Sequence, residues 1–204
     1  MPLAITVSVN DRATPALAAV GASLKDRRAL HTAIAGTIED ITAAHIRIAA
    51  QTRHKTATRL GASPTGYLNT KADTIESVAD NAGVVMTVWG AIFKRVTGDV
   101  PVVPVNKKWL AIPALAQAYG RRPGEFGKLS FRKNKSGGAR LVNEDGDVLF
   151  WLVKKVTLPQ DRGLLPSDEQ FSQAAELGAR GFLEQQIAAA QGNGFTPPGG
   201  YSRA

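Results

Sequence analysis

The sequence predicts an α+β fold: a long N-terminal helix and a C-terminal helix packed on a mainly antiparallel sheet, with a protruding proline-rich, basic arm. Three observations carry this. Between residues 26 and about 60, Leu30, Ile34, Ile38, Ile41, His45, Ile48 and Thr52 recur every three or four positions, the period of one helical face. Further on, "KLSFRKN" (128–134), "GARLVNE" (138–144) and "DVLFWLVKKVTL" (147–158) alternate as strands do, with "NKSGG" and "EDG" supplying the turns. Between these blocks, prolines 101, 104 and 113 cannot donate to a sheet ladder and confine their segment to edges, strand ends or loops.

Taken in order, "LAITVSVN" (3–10) alternates apolar Leu3, Ile5, Val7 and Val9 with smaller or polar residues and reads as a half-buried strand. A short helix follows, with Pro15 in its first turn, where a missing N–H is harmless. The long helix contains Gly36, which an exposed helix interior tolerates at about 1 kcal/mol relative to Ala, so a kink or a close packing contact is expected there. His45 lies on the apolar stripe and reads as a partly buried, hydrogen-bonded residue; His54 and the cations of "QTRHKTATR" suit the negative end of the helix dipole. "LGASPTG" (60–66) ends the helix. Ile75 and Val78 lead through "DNAG" (80–83) into the β-rich run from Val84 to Trp89, a hairpin. The arm, about 98–130, is expected to hold few core positions. Ser167 is placed as the N-cap of the last helix, with acids in its first turn and Phe171, Ala174 or Ala175, Gly178 and Phe182 on one face. Residues 1–190 thus read as a single domain and 191–204 as a Gly/Pro-rich tail with too little apolar area to order itself.

Composition narrows the classes of function. With 204 residues, 44% of them apolar, the chain is long enough to bury a substantial core. Its longest apolar runs, such as 82–93, fall short of the roughly 18 residues a membrane span needs, and the first residues lack the pattern of a secretory signal; the expectation is a protein made in the cytoplasm with no membrane partner. Without cysteine, and with His31, His45 and His54 as its only histidines, the chain offers no disulfide framework and no evident metal cage. The net charge of +8 is uneven: residues 101–157 carry 11 Lys and Arg against 4 Asp and Glu. That surplus fits a polyanion such as nucleic acid, or an acidic protein surface.

Catalysis finds little support. Nucleophile-elbow, zincin, phosphate-loop and dinucleotide fingerprints are absent from the sequence. The carboxylate groups Glu39 with Asp40, Glu144 with Asp145 and Asp147, and Asp168 with Glu169 fall on a helix surface, in a hairpin turn and in a helix's first turn, which are ordinary structural positions. No enzyme activity and no cofactor are expected.

The order of strand, long helix ending in "RHKTATRLGASPTG", hairpin, "KKWLAIPA" with "YGRRPGEF", and "FWLVKKVTLPQDRGLLPSDEQF" leading into a final helix resembles the virion morphogenesis or tail-completion family of Mu-like tailed phages, over roughly residues 3–187. The motifs that match are Leu110 to Pro113, and Val156 to Pro159 with Arg162 and Pro166; the stretch "QDRGLLP" departs from the family in lacking an aromatic after the turn's arginine and proline. The resemblance implies a non-enzymatic virion protein of the neck, forming a homo-oligomeric ring, six-fold in preference to twelve-fold, that completes the tail or joins head to tail. Its implied partners are neighbouring neck, connector or tail-tube proteins and, without sequence specificity, the phage genomic DNA in the channel. A head-to-tail ring needs two different patches on each subunit. Trp109, Ile112, Tyr119 and Phe126 of the arm, with Phe195 and Tyr201 of the tail, are the expected interface anchors. Lys107, Lys108, Arg121, Arg122, Lys128, Arg132, Lys133 and Lys135 are the expected contacts to DNA or an acidic partner. The alternative is a sequence-independent nucleic-acid-binding module, which does not require a ring.

Overall fold

A computed structural model describes residues 13–133 and 138–192. The elements run α1 (Ala13–Ser23), α2 (Arg28–Thr52), α3 (Lys55–Leu60), α4 (Tyr67–Ala72), β1 (Glu76–Ala79), β2 (Val84–Thr87), α5 (Gly90–Thr97), β3 (Val100–Val102), β4 (Leu110–Pro113), β5 (Ser130–Lys133), β6 (Ala139–Val142), β7 (Val148–Val153), β8 (Val156–Leu158) and α6 (Asp168–Ala190). The fold is α+β, with a long helix near the N-terminus, antiparallel sheets and a C-terminal helix. The expected strand at 3–10 lies outside the described residues, as do most of the "NKSGG" turn and the tail from 193 onward.

Two compact units divide the chain. One takes in the described parts of Met1–Ile41, Glu76–Thr87 and Ser167–Ala204; the other takes in those of Thr42–Ile75 and Val88–Pro166.

In the first unit α1 lies along α6, with Ser23 Oγ donating to Gln186 Oε1 at 3.3 Å. The start of α6 follows from its sequence. Ser167 Oγ accepts from the Gln170 N–H at 3.3 Å, while Gln170 Oε1 accepts from the Ser167 N–H at 2.9 Å, a reciprocal cap. Of the face that the spacing predicts, Gly178 and Phe182 are buried, Ala174 rather than Ala175 is the buried alanine, and Phe171 is half-buried. Gly178 is required by proximity, because a Cβ there would stand 2.9 Å from the Ile34 Cα of α2. The β1–β2 hairpin is tied to α2 by polar contacts: Glu39 Oε1 accepts from both the N–H and the hydroxyl of Ser77 at 2.5 Å, and His31 Nδ1 donates to the Asp80 carbonyl at 2.5 Å. In the turn, the N–H groups of Gly83 and Ala82 donate to the Asp80 carboxylate and hold its pKa below the usual carboxylate value.

The second unit has two cores. One gathers Ile46, Ala49, Ala72, Ile92 and Leu164, joining α2, α4, α5 and the turn before α6. The other gathers Ala118, Leu149 and Phe150, with Ala111, Phe126, Leu129 and Leu141 against them. The four-stranded sheet runs β4–β7–β6–β5, all antiparallel, and β3 pairs with β8 in a separate two-stranded sheet.

Four expectations need correction. Helix α2 stops at Thr52 rather than continuing to 60, because His54 leaves the helical region (φ −109°, ψ 41°) before α3 begins. The buried face of α2 is Ala35, Thr42, Ile46, Ala49 and Ala50, whereas Ile48, which the periodicity placed on that face, is 63% exposed: the face is offset from the predicted stripe and built mostly of small residues around Ile46. Gly36 has open space where a Cβ would stand, so no close contact explains it, and the helix passes through it unbroken. The segment 98–130 is not a protruding arm. Its β3 and β4 are paired strands, Ala118 is fully buried and Phe126 packs, partly buried, against the second core; Val103 and Val105, between the two strands, are 54% and 92% exposed. Its prolines sit where a missing donor is tolerated, Pro101 in a two-stranded sheet and Pro113 at the end of edge strand β4.

Candidate functional site

The turn between β8 and α6 shows how polar groups organise the second unit. Both oxygens of the Asp161 carboxylate accept from Arg53 Nη1, Arg95 Nη2 approaches the same carboxylate at 3.6 Å, and the Asp161 N–H donates to the Arg95 carbonyl at 2.8 Å. Arg53 Nη2 and His45 Nε2 both reach the Gly163 carbonyl, each at 3.0 Å. His45 is thus hydrogen-bonded, as its place on the helix predicts, and Arg53 ties the end of α2 to this turn rather than standing as a solvated cation. Of the carboxylates flagged in the sequence, Asp145 and Asp147 accept from Asn143 Nδ2 within the β6–β7 turn, Glu39 accepts from Ser77, and Asp168 and Glu169 sit in the first turn of α6. Among the described residues no three metal-ligating side chains converge, and no helix is long and apolar enough to cross a membrane.

The expected anchors are dispersed. Trp109 is half-buried beneath Lys154, whose Nζ is 5.8 Å from its ring centroid. Ile112 lies in β4 opposite Trp151, and Tyr119 is half-buried after a short turn. Phe126 is partly buried against the second core. Its ring meets Phe150 edge-on at 5.5 Å, and the Arg121 guanidinium lies 4.3 Å above it. Phe195 and Tyr201 lie outside the described residues.

Of the expected cations, Arg121 is bound to its own turn through Glu125, donating to its carbonyl at 3.1 Å, and the Arg122 N–H donates to Glu125 Oε1 at 3.0 Å. Lys107, Lys108 and Lys128 are exposed in loops, Arg132 and Lys133 are exposed on β5, and Lys135 lies outside the described residues.

Two features escape a reading of the sequence. The first is the outer face of the β1–β2 hairpin, where Val78 and Val85 are cross-strand partners at 72% and 69% exposure. Alternation predicts a face for them but not which face stays bare. The second is a row across the four-stranded sheet: Arg132 of β5 pairs with Arg140 of β6, Arg140 with Trp151 of β7, and Trp151 with Ile112 of β4. The segments "SFRK", "ARLV" and "VLFWLV" contain these residues, but only the register brings them into line.

A further cluster joins Tyr67, Lys71 and Trp89. The two rings meet edge-on at 5.4 Å, the Lys71 ammonium lies 4.6 Å from the Trp89 centroid, and partial burial raises the Tyr67 hydroxyl pKa.

Compared with family models, curated proteins and solved structures, the chain shows no significant match to any of them.

Proposed function

We propose that this chain is a non-enzymatic structural subunit of a tailed-phage neck, which oligomerises into a ring that completes the tail or joins it to the head. The observation that carries the reading is apolar surface left bare on separate elements: the Val78–Val85 pair of the β1–β2 hairpin and the Val103–Val105 stretch between β3 and β4. Isolated exposed apolar residues are common, but a cross-strand pair on an open hairpin face is a contact surface awaiting a partner. Two unlike patches per subunit are what a head-to-tail ring uses. The resemblance of the ordered motifs to those of the Mu-like tail-completion family supports the reading, as does the use of Glu39, Asp145 and Asp147 in structural hydrogen bonds. In this reading the interface is carried by these valines more than by Phe126, which is committed to the core.

The test is the mass of the purified full chain in solution and its shape in negative-stain images. The wild type is expected to form closed oligomers. A V78K/V85E double variant, which sets opposite charges across from each other on the hairpin, is expected to remain folded, with thermal stability close to wild type because both side chains are exposed, and to lose the oligomer. A wild type that is monomeric at every concentration, or a double variant that assembles as well as the wild type, overturns the reading.

A further inference from the structure

The row Arg132, Arg140, Trp151 and Ile112 contains an arrangement that the fold alone does not explain. Like charges directly opposite each other on adjacent strands are unfavourable, yet Arg132 and Arg140 are such a pair. Neither makes an ion pair with a carboxylate among the described residues, in contrast to Arg47, Arg53, Arg95 and Arg121, each of which has one. The Arg140 Nε is buried and has no hydrogen-bond partner, which is costly for a guanidinium nitrogen. Both arginines line an open groove of about 510 Å³, together with Ser130, Val142, Asn143 and Glu144. Trp151, 45% exposed, adjoins Arg140 in the register.

We propose that this sheet face binds single-stranded nucleic acid, with Arg132 and Arg140 clamping a backbone phosphate and Trp151 stacking on an adjacent unpaired base. Directly opposed residues on neighbouring strands stand about 5 Å apart, so two guanidinium forks reach one phosphate and relieve each other's repulsion. An aromatic ring beside such a clamp is the arrangement by which open sheets hold unpaired bases without reading sequence. A duplex keeps its bases stacked on each other and offers nothing to Trp151, and an acidic peptide offers no planar base. Glu144 at the groove is the one element that opposes an anion, and it makes the site testable in both directions. The inference stands independently of ring formation.

The experiment uses the full chain and a fluorescein-labelled oligothymidylate of about 12 nucleotides, followed by anisotropy over a range of NaCl concentrations, with duplex DNA of the same length and polyglutamate as competitors. The R132A/R140A variant is expected to bind at least tenfold more weakly and to flatten the salt dependence by about 0.7 for each phosphate it no longer neutralises. W151A is expected to bind about fivefold more weakly or worse with the salt slope retained, since stacking releases no counterions. E144Q is expected to bind more tightly than wild type. K107A/K108A serves as a control for charge removed elsewhere, and circular dichroism verifies folding of each variant. The proposal is overturned if the wild type does not bind the oligonucleotide, if R132A/R140A binds no more weakly than K107A/K108A, or if duplex DNA or polyglutamate competes as well as unlabelled single strand.

Discussion

Asp161 shows how much a single side chain organises in the second unit. It is 15% exposed, faces the guanidinium groups of Arg53 and Arg95, and lies beside the Gly163 carbonyl that Arg53 and His45 share. Removing it leaves two partly buried cations facing each other with nothing between them. Asp161→Ala is therefore expected to destabilise the protein by about 2 kcal/mol in urea unfolding, well above the cost of removing an exposed charge. An Asp161→Ala midpoint indistinguishable from wild type would mean the network is ornamental. "QDRGLLP" can be read from the sequence only as a turn. That Asp161 rather than Arg162 is its organising residue depends on Arg53 and Arg95, 108 and 66 positions away, and no local pattern contains that information.

At the scale of elements, the instructive case is the segment 98–130. Its prolines and paired cations read as a protruding arm, but β4 forms the edge of the four-stranded sheet, and Ala118 and Phe126 contribute to the core beneath it. An edge strand needs donors on only one side, so the residues that disqualify a central strand are admissible there. Deleting 100–127 is accordingly expected to abolish cooperative unfolding of the second unit, as seen in thermal melts, because Phe150 and Leu149 lose their cover. Excising 103–108 and closing the gap with a short Gly-Ser linker is expected to leave the melt cooperative. A folded, cooperative 100–127 deletion would restore the arm. Length, periodicity and caps decide how legible a helix is: α2 shows in its apolar period and α6 in the Ser167 cap, whereas α4 and α5, six and eight residues long with no side-chain cap bond from Gly66 or Trp89, do not announce themselves.

On the scale of the whole molecule, the net charge of +8 and the bare valines would act in opposite directions on the proposed assembly. Repulsion between like-charged subunits is screened within about 8 Å at physiological salt and more tightly above it, whereas burial of apolar surface is not weakened by added salt. Raising NaCl from about 0.05 to about 1 M is therefore expected to increase the oligomer fraction measured by sedimentation, while binding of an oligonucleotide falls over the same range. An oligomer that dissociates at high salt would place ion pairs rather than valines at its interface.

By itself, the sequence determined the mixed fold class, the capped C-terminal helix and its buried Ala174–Gly178–Phe182 face, the β1–β2 hairpin and the concentration of positive charge in residues 101–157. Each of these depends on residues close together in the chain, through periodicity, capping or composition. Only the tertiary structure decided where the long helix breaks, which face of it is buried, that 98–130 is built into the sheet, and that Arg132, Arg140 and Trp151 share one row. Those outcomes are set by strand register and by partners a hundred positions away, and a shift of register by one residue would send the same side chains to the opposite face.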